Sequence, residues 1–229
     1  MIKIKDSVIV VGDIHGQFET LLYHLKRKVF IDLTVIVAGD CGFGFEKRAY
    51  YKNVYNHIKK DLEKYDLKFI FVRGNHDDPA YFENELINFP RFRTIEDYTL
   101  LYNDKSKILC IGGGISVDRF DRIINKSYWI DESFQFKPEL MQECTHLITH
   151  SCFPPMGISK RIVDYYAKLD KNLLVDLENE RESFYTLKYY IEGKNVKWFC
   201  GHFHIDTQFN DVNYLSCINE REFSWKLIN

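Results

Sequence analysis

Apolar positions along the chain fall into short runs rich in β-branched residues, and several of those runs end abruptly at a few polar residues. Ser7 to Val11 leads into Gly12-Asp13-Ile14-His15, and Thr34 to Ala38 leads into Gly39-Asp40. Leu67 to Val72 leads into Arg73-Gly74-Asn75-His76-Asp77, and Lys107 to Ile111 into Gly112-Gly113-Gly114. His146 to Thr149 stops at His150, and Val196 to Cys200 at Gly201-His202-Phe203-His204. Continuous apolar runs of this length predict strands buried on both faces.

Between the runs lie segments with helical spacing. Phe18 to Lys28 places Leu21, Leu22 and Leu25 on one face with basic residues in its last turn. Phe18 and Tyr23 are expected on the apolar side of that helix, and His24 and His57 toward solvent. Phe45 to Tyr65 and Leu173 to Ile191 predict longer helices. Arg119 to Leu140 mixes Trp129, Tyr128 and charged residues and reads as a surface excursion. Strands alternating with helices predict an α/β core, with ligands at the carboxyl ends of the strands. The polar clusters sit at those ends, which predicts one shared site. With no repeat, low-complexity tract or Pro/Gly-rich linker, residues 1–229 are expected to form one domain.

Composition changes this picture little. Hydrophobic residues make up 45% and charged residues 28% of the 229, an ordinary globular balance. A net charge of -2 with no long basic run argues against a dedicated nucleic-acid surface. The six cysteines contain no CxxC pair, so a structural zinc site is not indicated and reduced thiols are expected. The segment Met1 to Asp6 lacks the apolar stretch of a signal peptide, and no run approaches the ~20 residues needed to cross a bilayer. A cytoplasmic protein without membrane association is the expectation.

The strand-end clusters supply Asp13, His15, Asp40, Asn75, His76, His150, His202 and His204. Carboxylate and imidazole together suit borderline cations such as Mn, Fe and Zn better than the all-oxygen sites typical of Ca. Asp13-x-His15 and His202-x-His204 share a spacing that, in an extended strand, points both members of a pair the same way. Each piece alone is weak, because a turn aspartate or a hydrogen-bonded histidine accounts for it. The ordered set, each member following a strand-like run, carries the reading.

That set, Gly12-Asp13-Ile14-His15-Gly16, Gly39-Asp40, Gly74-Asn75-His76-Asp77, His150 and Gly201-His202-Phe203-His204, resembles the five motifs of the calcineurin-like metallophosphoesterase superfamily. The resemblance implies an α/β fold of two β-sheets packed face to face and flanked by helices, a four-layer αββα sandwich. It implies two divalent metal ions, Mn, Fe or Zn with Mn favoured. Asp13, His15 and His204 would hold the first, Asn75, His150 and His202 the second, and Asp40 would bridge them. His76 matches the histidine that protonates the leaving group or stabilises the transition state.

Residues around motifs one and three are also similar to the serine/threonine phosphoprotein phosphatases. Their second motif continues Gly-Asp-x-Val-Asp-Arg-Gly, whereas this chain reads Gly39-Asp40-Cys41-Gly42-Phe43-Gly44. Phe43 therefore stands where the carboxylate partner of the catalytic histidine would be, leaving Asp77 and Asp118 as alternatives, and Gly44 replaces a phosphate-clamping arginine. The Gly-Asp-x-Gly form looks more like a bacterial and phage branch. That branch's Gly-rich strand end with Ser-x-Asp and a basic residue is matched by Gly112 to Arg119, and its Trp-x-x-Glu feature by Trp129 to Glu132.

For phosphate binding the candidates are Arg119 and Arg122, because arginine forks onto phosphate oxygens. Arg73 precedes its turn and reads as structural, as does His146, and Gly112 to Gly114 as a strand-end turn. The favoured function is metal-dependent hydrolysis of a phosphate ester by water activated between two cations, on a small or medium phosphorylated substrate, phosphoprotein and nucleotide included. The alternatives are a two-metal nuclease, disfavoured by the near-neutral charge, and a non-catalytic binding module, which would normally have lost ligands.

Overall fold

A computed structural model describes residues 1–84, 86–154, 160–209, 211–219 and 221–228. In chain order the strands and helices are β1 Ile2–Lys3, β2 Val8–Val11, α1 Phe18–Arg27, β3 Leu33–Val37, α2 Arg48–Lys64, β4 Leu67–Phe71 and α3 Ala80–Glu83. There follow β5 Asn88–Phe89, β6 Phe92–Thr94, β7 Thr99–Tyr102, β8 Lys107–Ile111, β9 His146–Thr149, α4 Lys160–Tyr166 and α5 Leu173–Ile191. The chain closes with β10 Lys197–Cys200, β11 Thr207–Phe209, β12 Val212–Tyr214 and β13 Trp225–Ile228.

The strands build two mixed sheets. One has the order β13-β2-β3-β4-β6-β5 and the other β1-β7-β8-β9-β10-β12-β11. At the centre of the first, β2, β3 and β4 run parallel, with Val11 beside Val37 and Val37 beside Phe71. At the centre of the second, β8, β9 and β10 are also parallel.

Period-two alternation explains the layering, because neighbouring side chains on a strand point to opposite faces. Even positions Val8, Val10, Ile36, Ile70 and Val72 share a core with Ile108, Cys110, Ile148 and Phe199, so this core lies between the sheets. Odd positions Ile9, Val11, Val35, Val37, Phe69 and Phe71 face the other way, onto Phe18, Leu21, Leu22 and Leu25 of α1 and Tyr51, Val54 and Ile58 of α2. On the outer face of the second sheet, Leu109, Ile111, Leu147 and Trp198 pack against Phe184 and Leu187 of α5. The result is the expected αββα arrangement, with central strands apolar throughout because both faces are covered. Each fully buried Val, Leu, Ile or Phe contributes roughly 1.5–3 kcal/mol relative to exposure. Among the described residues no helix is long and apolar enough to cross a membrane.

Three local expectations are corrected. Tyr23 is exposed, while His24 is buried and donates from Nε2 to the Asn219 carbonyl at 2.8 Å beside the Phe223 ring. The cause is non-local, since the segment preceding β13 folds back over α1. The 119–140 region is not simply a surface excursion. Phe120, Ile123 and Ile130 are exposed, but Trp129, Glu132 and Phe134 are buried, with Phe134 stacked on Phe184 of α5 at 4.2 Å. Third, the Asp-x-His and His-x-His pairs lie beyond their strands, which end at Val11 and Cys200.

Candidate metal centre

Parallel strands deliver their carboxyl ends to one edge of a sheet, and here both sheets deliver theirs to the same place. Asp13, Asp40 and Asn75 follow β2, β3 and β4 in the first sheet, and His150 and His202 follow β9 and β10 in the second. Asp13, Asp40, Asn75 and His150 are all essentially buried. The backbone bends sharply to present them: His15, Asp40, His202 and His204 have φ of 44°, 46°, 66° and 53°. Left-handed backbone at non-glycine residues costs energy and clusters at sites where the surroundings over-determine it.

Two glycines make the convergence sterically possible. A Cβ on Gly39 would lie 2.2 Å from His150 Nδ1, and one on Gly201 would lie 2.1 Å from Asp13 Oδ1. Each therefore admits a side chain delivered by a different strand. Gly39 also has φ of 91°, a conformation costly for any other residue.

The donor atoms meet in two groups. In the first, His204 Nε2 lies 2.9 Å from Asp13 Oδ2 and 3.2 Å from His15 Nε2. Ligand atoms of Asp13, His15, Asp40 and His204 all lie within 4.8 Å of one another. In the second, His150 Nε2 lies 2.8 Å from Asn75 Oδ1 and 3.1 Å from Asp40 Oδ1, with the His202 ring 5.0 Å from the His150 ring, centroid to centroid. Asp40 thus touches both groups. His202 and His204 address different neighbours, which corrects the expectation from extended-strand spacing that both members of the pair point the same way. The left-handed turn at His202 and His204 replaces the strand alternation on which that expectation rested.

Supporting hydrogen bonds fix which atoms face inward. His150 Nδ1 donates to the Ala38 carbonyl at 2.8 Å, which turns Nε2 inward. Asn75 Nδ2 donates to Ser116 Oγ at 2.9 Å, which turns Oδ1 toward His150. Ser116 Oγ in turn donates to Glu132 Oε2 at 2.7 Å, and its N–H to Oε1 at 2.6 Å. His202 N–H donates to Asp13, and His76 N–H to Asp40 Oδ1 at 2.8 Å. Ser116 and Glu132 were legible in sequence only as matched features, with no role attached.

Electrostatics follow from this crowding. Burial opposes the Asp40 carboxylate, but the imidazoles of His150, His76 and His15 outweigh it and hold its pKa well below the usual range. Burial likewise opposes the His150 imidazolium, yet Asp40 and Asp13 raise it to about 10. His202 is pushed down to about 3, first by burial and then by His150. Desolvation lifts Glu132 to about 7 against its two Ser116 hydrogen bonds.

At the rim, Arg122 Nη2 lies 2.7 Å from His76 Nε2 and also pairs with Asp118 at 2.7 Å. Arg119 is not brought to the cluster, because Asp170 and Asp176 take its guanidinium at 2.6 and 2.5 Å. Arg73 donates to the Glu132 carbonyl at 2.8 Å and pairs with Asp97 at 2.9 Å, as a structural brace. Asp77 does not orient His76. Its carboxylate accepts from the N–H groups of Cys41, Gly42, Phe43 and Gly74, locking two strand-end loops together. Phe43 is buried among Phe18, Tyr51, Phe71 and Phe82.

The donor set fits divalent cations: carboxylate, amide oxygen and imidazole are mixed, and ligand atoms of Asp13, His15, Asp40 and His204 lie within 4.8 Å of one another.

The chain is 31% identical, over an alignment of 129 residues, to serine/threonine-protein phosphatase PP1-1 of Saccharomyces cerevisiae, covering 49% of this chain and 40% of the yeast protein. The chain therefore spans well under two thirds of that relative. Among solved structures it is similar to a cold-active protein-tyrosine phosphatase of a Shewanella species at 17% identity and TM-score 0.38, covering 93% of this chain and 71% of the other. It is also similar to a yeast protein serine/threonine phosphatase resembling human phosphatase PP5, at 18% identity and TM-score 0.34, covering 94% and 71%. Residues 7–206 match the family described as calcineurin-like phosphoesterase, a span that runs through every strand-end cluster from Asp13 to His204, and the chain belongs to that family.

Proposed function

We propose that the chain hydrolyses a phosphate mono- or diester of small or medium size, with two divalent cations of which manganese is favoured. One observation carries the reading. Ligand-capable side chains from five strand ends converge, with His15 Nε2 at 3.2 Å from His204 Nε2 and His150 Nε2 at 2.8 Å from Asn75 Oδ1, around a shared Asp40.

In this reading Asp13, His15 and His204 hold the first cation, Asn75, His150 and His202 the second, and Asp40 both. When bound, such a pair of cations lowers the pKa of a water between them and neutralises charge on the phosphoryl oxygens. The chain's own residues do the rest. The Ala38 carbonyl and Ser116 keep His150 and Asn75 turned inward. Arg122, at the rim, donates onto phosphoryl oxygens, where a guanidinium forms charge-assisted bonds. His76, beside it, stabilises or protonates the departing oxygen. Substrates in keeping with an open rim include nucleotides and phosphorylated proteins.

The test is metal-stripped protein reloaded with manganese, assayed for bound metal and against nucleotides, phosphopeptides, sugar phosphates and bis-p-nitrophenyl phosphate. Two cations per chain and metal-dependent turnover are expected. Folded protein that binds less than one cation per chain, or turns over none of the panel with two bound, overturns the reading.

A further inference from the structure

Cys217 lies between β12 and β13, on a segment that crosses the first group of the centre. Its backbone neighbours are tied down on both sides: Leu215 N–H donates to the Cys200 carbonyl at 2.8 Å, and Ile218 N–H to the Asp13 carbonyl at 2.9 Å. The thiol is therefore carried on backbone bonded to the ends of two of the strands that bear the histidines and Asp13. Cys217 Sγ and ring nitrogens of His15 and His204 all lie within 4.8 Å of one another. Among the described residues no other cysteine joins such a cluster. As a thiol it donates to the Ile218 carbonyl at 3.3 Å, a weak bond that little opposes its turning. The His204 side chain is 49% exposed. Atoms within 4.8 Å of one another are close enough to share one cation, whose bonds to nitrogen and sulfur are ~2.0–2.3 Å.

We propose that Cys217 is a thiolate ligand of the cation held by His15 and His204, and that it biases this first position toward zinc or cobalt over manganese. Soft sulfur donors select zinc, whereas carboxylate and amide oxygens tolerate manganese. Among the described residues no thiol joins the second group, so manganese stays favoured there and the centre suits two unlike cations. On binding, the S–H bond is replaced by an S–metal bond and the thiol proton leaves to solvent. The inference rests on the first-cation part of the proposed function but not on turnover.

The experiment is cobalt titration of the metal-free full chain, wild type beside Cys217→Ser and Cys217→Ala. Wild type is expected to develop a near-ultraviolet sulfur-to-cobalt charge-transfer band that saturates at one equivalent. Both variants should lose that band, bind cobalt at the second group still, and show a zinc-over-manganese preference at least tenfold smaller. Zinc should also protect Cys217 of wild type from alkylation at least tenfold, read by peptide mass spectrometry, a measurement that needs no variant to fold. Absence of the band in cobalt-saturated wild type, its persistence in Cys217→Ser, or alkylation indifferent to zinc overturns the proposal. A chain with the band but without phosphate-ester hydrolysis keeps this inference and loses the proposed function. Hydrolysis without the band does the reverse.

Discussion

Asn75 and Ser116 are joined by a 2.9 Å hydrogen bond from the Asn75 amide to the Ser116 hydroxyl, and that bond decides which end of the amide faces His150. Asn75 comes from the end of β4 in one sheet and Ser116 from beyond β8 in the other. The bond therefore couples the two halves of the centre directly. Ser116→Ala removes the acceptor that holds the amide and strips Glu132 of one of its two donors. Loss of such supporting partners typically costs 10–100-fold in metal affinity. We expect a drop of that size at the second group, with little change in fold, measured by competition against a chelating dye. Affinity equal to wild type at both groups would show that Asn75 is held by other means.

Phe43 invites a test from the opposite direction. It occupies the sequence position of a carboxylate in the phosphoprotein phosphatases, yet its side chain is fully buried in an aromatic cluster with Phe18, Tyr51, Phe71 and Phe82. Truncating a buried phenylalanine costs ~3–5 kcal/mol, so Phe43→Ala should lower the urea midpoint markedly. Phe43→Asp should be worse, because it buries an unpaired carboxylate. It should bring no gain in rate, since the ring is packed in the aromatic core. A stable, faster Phe43→Asp protein would contradict this placement.

These two cases also mark how far the sequence could be read. The six central strands and three main helices were legible to within a few residues, because continuous apolar runs and helical spacing are local signals. The ordered set Asp13, His15, Asp40, Asn75, His76, His150, His202 and His204 was legible because each follows such a run. What was hidden is non-local. Strands of two or three residues such as Ile2–Lys3 and Val212–Tyr214 carry no pattern long enough to register. His24 is buried only because the segment at Asn219 returns to it, and Arg119 is withdrawn only because Asp170 and Asp176, some fifty residues later, claim it. Cys217 looked like any scattered thiol until the fold set it beside His15 and His204.

Away from the centre, His146 gives a pH dependence whose sign is fixed by its burial. Desolvation pushes it down to about 4, its Nε2 has no hydrogen-bond partner among the described residues, and its ring stacks on Phe199. In the unfolded chain an ordinary histidine titrates near ~6.5. The unfolded state therefore binds the proton more tightly between those two values. Stability from this residue is full above ~6.5, declines as pH falls toward 4, and falls no further below it. Between pH 7 and pH 5 the loss amounts to about 2 kcal/mol. Urea unfolding of metal-free His146→Phe beside wild type at the two pH values isolates it. The variant should show a pH dependence shallower by about that amount. Identical slopes would mean that His146 is hydrated in the folded chain.

The contact between Arg122 and His76 makes the sharpest prediction about chemistry. A guanidinium only donates, so its 2.7 Å approach to His76 Nε2 favours an unprotonated acceptor at that nitrogen. The His76 pKa is lowered accordingly, by burial first, with Asp40 raising it and Arg122 lowering it further. The neutral form of His76 is thus favoured until a substrate phosphate draws Arg122 onto its oxygens and adds negative charge nearby. Both effects favour the imidazolium, so the acid would be made by the substrate it serves. Two variants separate the roles. His76→Gln should lose ~10²–10⁴-fold on alkyl phosphates, whose departing alkoxide needs a proton, and much less on an activated aryl phosphate that leaves as a stable anion. Arg122→Ala should raise KM for both substrates alike, because it removes a phosphate contact common to each. It should also shift the alkaline limb of the alkyl pH–rate profile upward, since His76 loses a repelling neighbour. Steady-state kinetics with both substrate types across pH, with manganese saturating, reads all of these. If His76→Gln slows alkyl and aryl hydrolysis equally while chemistry is rate-limiting, His76 is not the proton donor, and the Arg122 contact serves phosphate binding alone.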